Sequence, residues 1–286
     1  MKRNCPLLLT LALLCALLAG CAGRAYSPPP PDGAGSETEQ NAARRCRVVS
    51  VGDDGTMLLA DTDSEYPDIY TLPVDGTDAV SDFTVPAVGA LVEVAFGGSI
   101  LETYPARFAE VRSVTVLEDG FDDRCALYLR VLNDLWDKDE GLNSSGVEYI
   151  SVDLSATSLS PAERSAAAWT FAHAHGAMPL ELNYEQLCAE GYVSGLEGEN
   201  AFPAWENGVL FTITETDDPV TFNLPSLSEG GELPSMAQYN VKNTVSFDAS
   251  MWRTALGAYG LSKCVAVQDN NGVWGDYRIN GGEWIS

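Results

Sequence analysis

From Cys46 to about Leu117 the pattern of hydrophobic and polar residues is all strand, in short apolar runs broken by turn residues. Arg47–Val51 leads through Asp53-Asp54-Gly55, a tight hairpin signal, into Thr56–Ala60. Asp68–Val74 alternates Ile69, Thr71 and Pro73 against Tyr70, Leu72 and Val74. Ala90, Val92, Val94 and Phe96 share one face of a further strand; Gly97-Gly98 turns it back, and Ser99–Tyr104 returns. The valine-rich run Phe108–Leu117 completes the set. About five short strands with no helix predict a small closed barrel, because closure hides strand edges. An OB-like barrel is the leading expectation at this size, with an SH3-like barrel as the alternative.

After residue 119 the pattern mixes helix and strand periods. Asp122 and Asp123 place acid at the start of a predicted helix with the stripe Cys125, Leu129, Leu132 and Trp136, ended by Gly141. Val147–Leu154 reads as a strand. Ser160-Pro161-Ala162-Glu163 is a helix start with an N-cap Ser, Pro at the first position and a Glu closing the capping box. That helix is predicted to run to His175 and stop at Gly176, and a shorter one to span Asn183 to Glu190. Strands follow at Val209–Glu215, Val241–Phe247, Leu256–Gln268 and Val273–Ile279, with Asn271-Gly272 and Asn280-Gly281-Gly282 as turns. Helices first and mostly antiparallel strands after define an α+β layout. The expected fold class is therefore two-domain: a small all-β, OB-like barrel over 46–117, then an α+β domain over 119–286. Thr216–Tyr239, rich in Pro, Gly, Ser and acid, is expected as a long loop.

The N-terminal pattern is different again. Lys2 and Arg3 precede an apolar run from Pro6 to Leu18, the layout of an export signal over 1–20. The run is shorter than the roughly 20 residues that span a bilayer. Leu18-Ala19-Gly20-Cys21 resembles a bacterial lipobox, which implies cleavage before Cys21 and a diacylglyceryl group on its thiol. Each buried methylene of such a group adds about 0.8 kcal/mol of membrane affinity. Residues 21–45, with Pro28–Pro31 followed by Gly, Ser, Glu, Gln and Asn, read as a lipidated Cys and flexible tether. Val88-Gly89-Ala90-Leu91-Val92-Glu93-Val94 and Gly97-Gly98-Ser99-Ile100-Leu101-Glu102-Thr103-Tyr104-Pro105-Ala106 resemble a small OB-type domain of lipoproteins from Gram-positive bacteria. That family is largely uncharacterised. The likeness covers about a quarter of the chain; it implies a fold and an outward-facing, lipid-anchored location, and no catalytic residue.

Charge narrows the partners. The chain carries 41 acidic and 16 basic residues, a formal charge of −25, and loss of Lys2 and Arg3 with the leader removes two more positive charges. Such a surface repels nucleic-acid phosphates and anionic headgroups. Six Trp, eleven Tyr and a 45% hydrophobic content are enough to build cores. Beyond the leader and Cys21 stand Cys46, Cys125, Cys188 and Cys264, widely spaced, with three possible disulfide pairings. Their placement within helical and strand patterns favours free, buried thiols.

No local motif assembles a reaction centre, so no catalytic residue and no cofactor is assigned. His173 and His175, the only histidines, point about 200° apart on a helix and cannot chelate one ion. His173 continues the stripe Ala162, Ala166, Trp169 and is expected beside the core. Asp61, Asp63, Glu65 and Asp68 resemble the opening of a calcium loop, but Tyr66 and Leu72 occupy the positions where an EF-hand needs Gly and Glu. They are a weak calcium candidate, set against a solvated acidic loop. The acid runs Asp137-Lys138-Asp139-Glu140 and Glu215-Thr216-Asp217-Asp218 are weaker still. Trp252, Tyr259, Trp274, Tyr277 and Trp284 could line a ligand platform, although strand aromatics more often pack across strands. The expectation is a membrane-anchored extracytoplasmic lipoprotein that binds a protein or an envelope polymer without catalysis. The alternative is a carboxylate-dependent hydrolase acting on cell-wall or other polymers.

Overall fold

The computed structural model describes residues 42–73, 84–138, 140–143, 146–198, 201–217 and 241–286. Cys21, the leader, tether residues 22–41 and loop residues 218–240 lie outside these. The described chain is mostly β, in two mixed sheets with helices between them.

The first sheet takes β1 (Ala42–Val51), β2 (Met57–Asp61), β3 (Ile69–Leu72), β4 (Leu91–Phe96), β5 (Ile100–Leu101), β6 (Ala106–Phe108) and β7 (Val111–Val116) in the order β5-β6-β3-β2-β1-β4-β7. The Asp53-Asp54-Gly55 signal makes the β1–β2 hairpin, with Gly55 at φ 81°. β1 begins at Ala42, inside the stretch expected as tether, because Ala42 to Arg47 pair with β4 while its later half pairs with β2. A register shift between Val48 and Ser50 marks a bulge, which bends a strand and increases its local twist.

The expected closed barrel is not formed: among the described residues the ladder runs open from β5 to β7. β6, next to the β5 edge, is joined by chain to the β7 edge. Only Ala109 and Glu110 separate β6, parallel to β3, from β7, antiparallel to β4. Glu110 sits at φ 53° and kinks the run, so the two halves pair at opposite ends of the sheet. Both faces of this sheet are apolar and buried. One face carries Cys46, Val48, Met57, Leu59, Tyr70, Leu72, Val92, Val94, Phe96 and Phe108 in a core of its own. The other contributes Val49, Leu58, Ala60 and Ile69 to the main core.

That main core is built around two helices, α1 (Arg124–Lys138) and α3 (Pro161–Ala174), with the short α2 (Glu140–Asn143) after α1. The predicted capping box at α3 is present: Ser160 Oγ accepts from Glu163 N at 3.2 Å, and Glu163 Oε2 accepts from Ser160 N at 2.9 Å. Ala162, Ala166, Ala167, Ala168 and Ala172 are all buried, on more than one side of the helix. α3 contacts β1, β2 and β3 on one side and β8 and β9 on the other. α1 likewise buries Leu127, Tyr128, Val131 and Leu135 in addition to the predicted Cys125 and Leu132, while Leu129 and Trp136 are only partly covered.

The second sheet takes β8 (Tyr149–Asp153), β9 (Met178–Leu180), β10 (Gly208–Thr216), β11 (Val241–Thr254), β12 (Gly257–Asp269) and β13 (Arg278–Ile285) in the order β13-β12-β11-β10-β8-β9. β10 through β13 are antiparallel, and β9, β8 and β10 are parallel, with α3 as the crossover from β8 to β9. α4 (Tyr184–Ala189), capped by Asn183, covers a satellite cluster of Leu187, Val193, Trp205 and Leu210. The strand expected at Val273–Ile279 starts only at Arg278. Trp274 is drawn into the core, its backbone N donating to Asp123 Oδ1 and its indole N to Asp122 Oδ1, each at 2.7 Å. Asn280-Gly281-Gly282 lies within β13 and is not a turn; a Cβ on Gly281 would meet Ser262 O at 2.8 Å, so the glycine serves close strand approach.

Gln40–Ser286 form one compact unit, and the boundary expected between residues 117 and 119 falls inside it. Arg47 ties across that boundary, to Glu163 at 3.3 Å, to Gly89 O at 3.1 Å and to Gly120 O. Gly89, at φ 90°, lies so close to Asp123 that a Cβ would meet its backbone N at 2.9 Å. All six tryptophans follow residue 119, so they report on the second region alone. Leu58→Ala in β2 is expected to cost about 2–5 kcal/mol and to lower the midpoint of the tryptophan-detected unfolding transition. An unmoved tryptophan transition would mean that the first sheet unfolds separately.

Candidate functional site

Arg130, Asn133, Asp134, Asp137 and Lys138 repeat at i, i+3, i+4, i+7 and i+8, so α1 carries one polar stripe along its otherwise buried surface. This stripe and the segment holding Asp276, Tyr277 and Ile279 form the walls of an open groove of about 760 Å³.

The groove is held by fixed bonds. Arg130 Nη2 donates to Trp274 O at 2.9 Å and Gly275 O at 3.1 Å, anchoring the segment that leads into β13. Tyr277 donates its hydroxyl to Asp134 Oδ2 at 2.8 Å. Burial, reinforced by that carboxylate, raises the Tyr277 pKa and keeps the phenol neutral. At one end Lys138 Nζ meets Glu283 Oε1 at 2.8 Å, and Glu283 also accepts from Tyr259. Lys138 and Tyr259 hold the Glu283 carboxyl below its usual range. Both cations of the groove are thus engaged by the protein itself. Asp137 and Asp276 form no hydrogen bond or ion pair among the described residues.

His175 lies beside this stripe. Its ring stacks on Trp136 with centroids 4.0 Å apart and meets the edge of Phe171, and Nε2 is 3.2 Å from Asn133 Oδ1. Burial lowers its pKa below the ordinary 6.5, which outweighs the upward pull of Asp137. His173, expected beside the core, is exposed and stacks on Trp169 at 4.5 Å. The physical reason is that α3 already fills its buried surface with alanines, leaving the imidazole at the rim.

A second polar cluster joins α1 to β10. Glu215 accepts from Tyr128, from Ser158 N at 2.9 Å and from Ser158 Oγ at 2.8 Å, with Arg124 at 3.9 Å. Arg124 also contacts Ser158 Oγ and lies over the Trp274 ring, 4.8 Å from its centroid. So many donors converge on Glu215 that the cluster acts as a lock between elements, leaving that carboxylate no spare role.

The sequence-selected acids are not brought together. Asp61 is buried and caps its own loop, Oδ1 accepting from Asp63 N at 2.9 Å and Ser64 N at 3.1 Å, with Arg44 3.5 Å from Oδ2. Asp63 turns to Arg45 at 2.7 Å, Asp68 accepts from Ser64 Oγ at 2.7 Å, and Glu65 is exposed. Among the described residues no three acidic, His or Cys side chains are grouped to hold a metal ion. Cys46, Cys125 and Cys264 are buried free thiols, and Cys188 is a half-buried one. Burial raises all three buried thiol pKa values, that of Cys264 to about 12. The five C-terminal aromatics do not form one platform: Trp274 and Tyr259 are in the core, Tyr277 is in the groove, Trp252 packs on Tyr184, and Trp284 lies across Gly260. Asp137 and Lys138 of one acid run reach the groove, whereas Glu215 of the other belongs to the lock.

No family model, curated protein or solved structure matches the chain. Among the described residues no helix is long and apolar enough to cross a membrane.

The depressed His175 pKa gives a signed expectation. Neutral His175 supports the fold above pH 6.5, and that support is lost as pH falls through its lower folded value. His175→Phe keeps an aromatic ring on Trp136 and is expected to flatten the stability decline below pH 6.5, measured by denaturant unfolding at successive pH values. An unchanged decline would assign it to other groups.

Proposed function

We propose that this protein is a membrane-anchored extracytoplasmic lipoprotein whose folded part is a non-catalytic binding module, with the α1 groove as its contact site for a protein or an envelope polymer. The observation that carries the binding role is the groove itself: an open depression whose walls are braced by Arg130 and by the Tyr277–Asp134 bond. Ligand sites are characteristically concave and largely preformed. The location rests on the resemblance of Leu18-Ala19-Gly20-Cys21 to a lipobox, and on the polar, proline-containing stretch after it. A surface of net charge −25 suits an outward-facing protein that stands off from an anionic envelope and does not bind nucleic acid. The OB-type reading of the first sheet is supported by its strand succession, in which β1, β2 and β3 pair in turn, β4 returns to β1, and β6 runs parallel to β3.

A carboxylate-dependent hydrolase draws on the same groove, because Asp137 and Asp276 line it from different elements. It differs in one outcome: polymer cleavage that disappears in Asp276→Asn would replace the binding reading.

Lipidation has a direct test. Cys21→Ala is expected to move the protein from the membrane fraction to the medium, or to leave it as uncleaved precursor. Membrane association unchanged and still dependent on detergent for release would overturn the lipoprotein assignment.

A further inference from the structure

Among the described residues the two sheets end in four edge strands, and these are not equally protected. β5 has two residues, β9 has three with Pro179 in the middle, and β7 is buried or half-buried from Val111 to Val114. β13 has eight residues, and all of them except Ile279 are exposed. A strand edge presents unpaired N–H and C=O groups to any incoming strand, and shortness, proline or cover normally guards it. β13 has none of these.

The ladder with β12 decides which groups β13 offers. Ser286 N donates to Ala258 O at 3.0 Å, and alternate residues of an antiparallel strand face a given neighbour. Gly282 and Trp284 therefore turn their backbone groups to β12. Beyond the register shift, Gly275 N donates to Val267 O at 3.0 Å, which sets Val265 and its partner Arg278 in the same phase. Ile279, Gly281, Glu283 and Ile285 are left with backbone groups turned outward.

The side chains make this edge complementary to itself. A two-fold axis perpendicular to the sheet pairs two identical strands antiparallel and keeps each side chain on its own face. Centred on Gly281, it sets Arg278 opposite the partner's Trp284, and Trp284 opposite the partner's Arg278. Arg278 forms no hydrogen bond or ion pair among the described residues. Trp284 lies across Gly260 with 43% of its surface exposed. A guanidinium beside an open indole face is favourable, and the symmetry makes that contact twice. On the axis, where like must meet like, Gly281 brings no side chains to collide. Pairing from Ile279 to Glu283 forms about six backbone hydrogen bonds. An unrelated extended peptide gains those bonds and lacks the reciprocal Arg–Trp contacts.

We propose that two copies of this chain join through β13, antiparallel about a two-fold axis at Gly281, so that their six-stranded sheets continue as one. The inference goes beyond the groove and does not depend on it, although Ile279 also lines the groove and the joint brings a second copy to its margin. A single strand junction lies below the roughly 1,200 Å² of standard interfaces, so the dimer is weak and concentration-dependent. At 0.15 M salt the screening length of about 8 Å limits repulsion between the two acidic copies.

The test is site-directed cross-linking of the full chain in detergent micelles at that salt concentration, with sedimentation equilibrium of the same samples. Asn280 is exposed and, in this pairing, is a diagonal neighbour of the partner's Asn280, about 7–8 Å away. Asn280→Cys treated with a short bismaleimide is expected to give a covalent dimer well above the background set by the native thiols of the parent protein. Val273→Cys, at a position 41% exposed but outside the strand, is expected to stay at background. Arg278→Glu added to Asn280→Cys is expected to cut the cross-linked fraction about fivefold or more, since both Arg–Trp contacts are lost. Arg278→Lys keeps the cation and is expected to retain most of it. Arg278 has no internal partner, so thermal unfolding of these variants should match the parent and serves as the folding control. A protein that stays monomeric as its concentration rises, or an Asn280→Cys variant at background, would overturn the proposal. Equal cross-linking at Val273→Cys would reduce the contact to non-specific association, and full cross-linking in a well-folded Arg278→Glu variant would overturn the pairing. Dimers seen in sedimentation without a cross-link at residue 280 would place the interface elsewhere and overturn it as well.

Discussion

The structure depends on α3 having two buried sides. A helix can lie between two sheets only if its side chains are small and apolar on both, and the alanines from Ala162 to Ala172 meet that condition. Small side chains bring the flanking strands close, so β2 packs on one side while β8 packs on the other. One face of the first sheet is buried by a helix supplied from later in the chain, and the short Ala109–Glu110 connection links β6 to the edge strand β7.

Polar bonds complete this layer. Arg47 sits where the first sheet, the start of α3 and the 117–123 connection meet, and its donors satisfy two backbone carbonyls and the capping carboxylate Glu163 together. Asp122 and Asp123 act beside it, against Gly89, holding both nitrogens of Trp274. A buried indole N–H and a strand-breaking backbone N–H would each be costly without a partner, so these two acids determine where the last hairpin ends. Their position at the start of α1 also suits the helix dipole.

The groove follows from the same geometry. α1 is buried by the sheets on most of its circumference, and its single polar stripe is left facing the segment that Asp122, Asp123 and Arg130 pin in place. Bracing by hydrogen bonds to backbone leaves the carboxylates on the opposite positions unencumbered.

Much of this was legible in the chain. Hairpin chemistry placed the β1–β2 turn, the capping box located the start of α3, and the unbroken apolar run Met57-Leu58-Leu59-Ala60 is what a strand buried on both faces looks like. The helical spacing of Arg130, Asn133, Asp134, Asp137 and Lys138 was also present, but a polar stripe by itself says only that one side is not core. Local periodicity encodes which side of an element is apolar and carries no information about what covers it. The partner is chosen by packing between residues far apart in sequence. Long-range contacts alone placed α3 against both sheets, drew Trp274 out of a strand pattern into the core, and brought Asp276 and Asp137 to the lining of one groove.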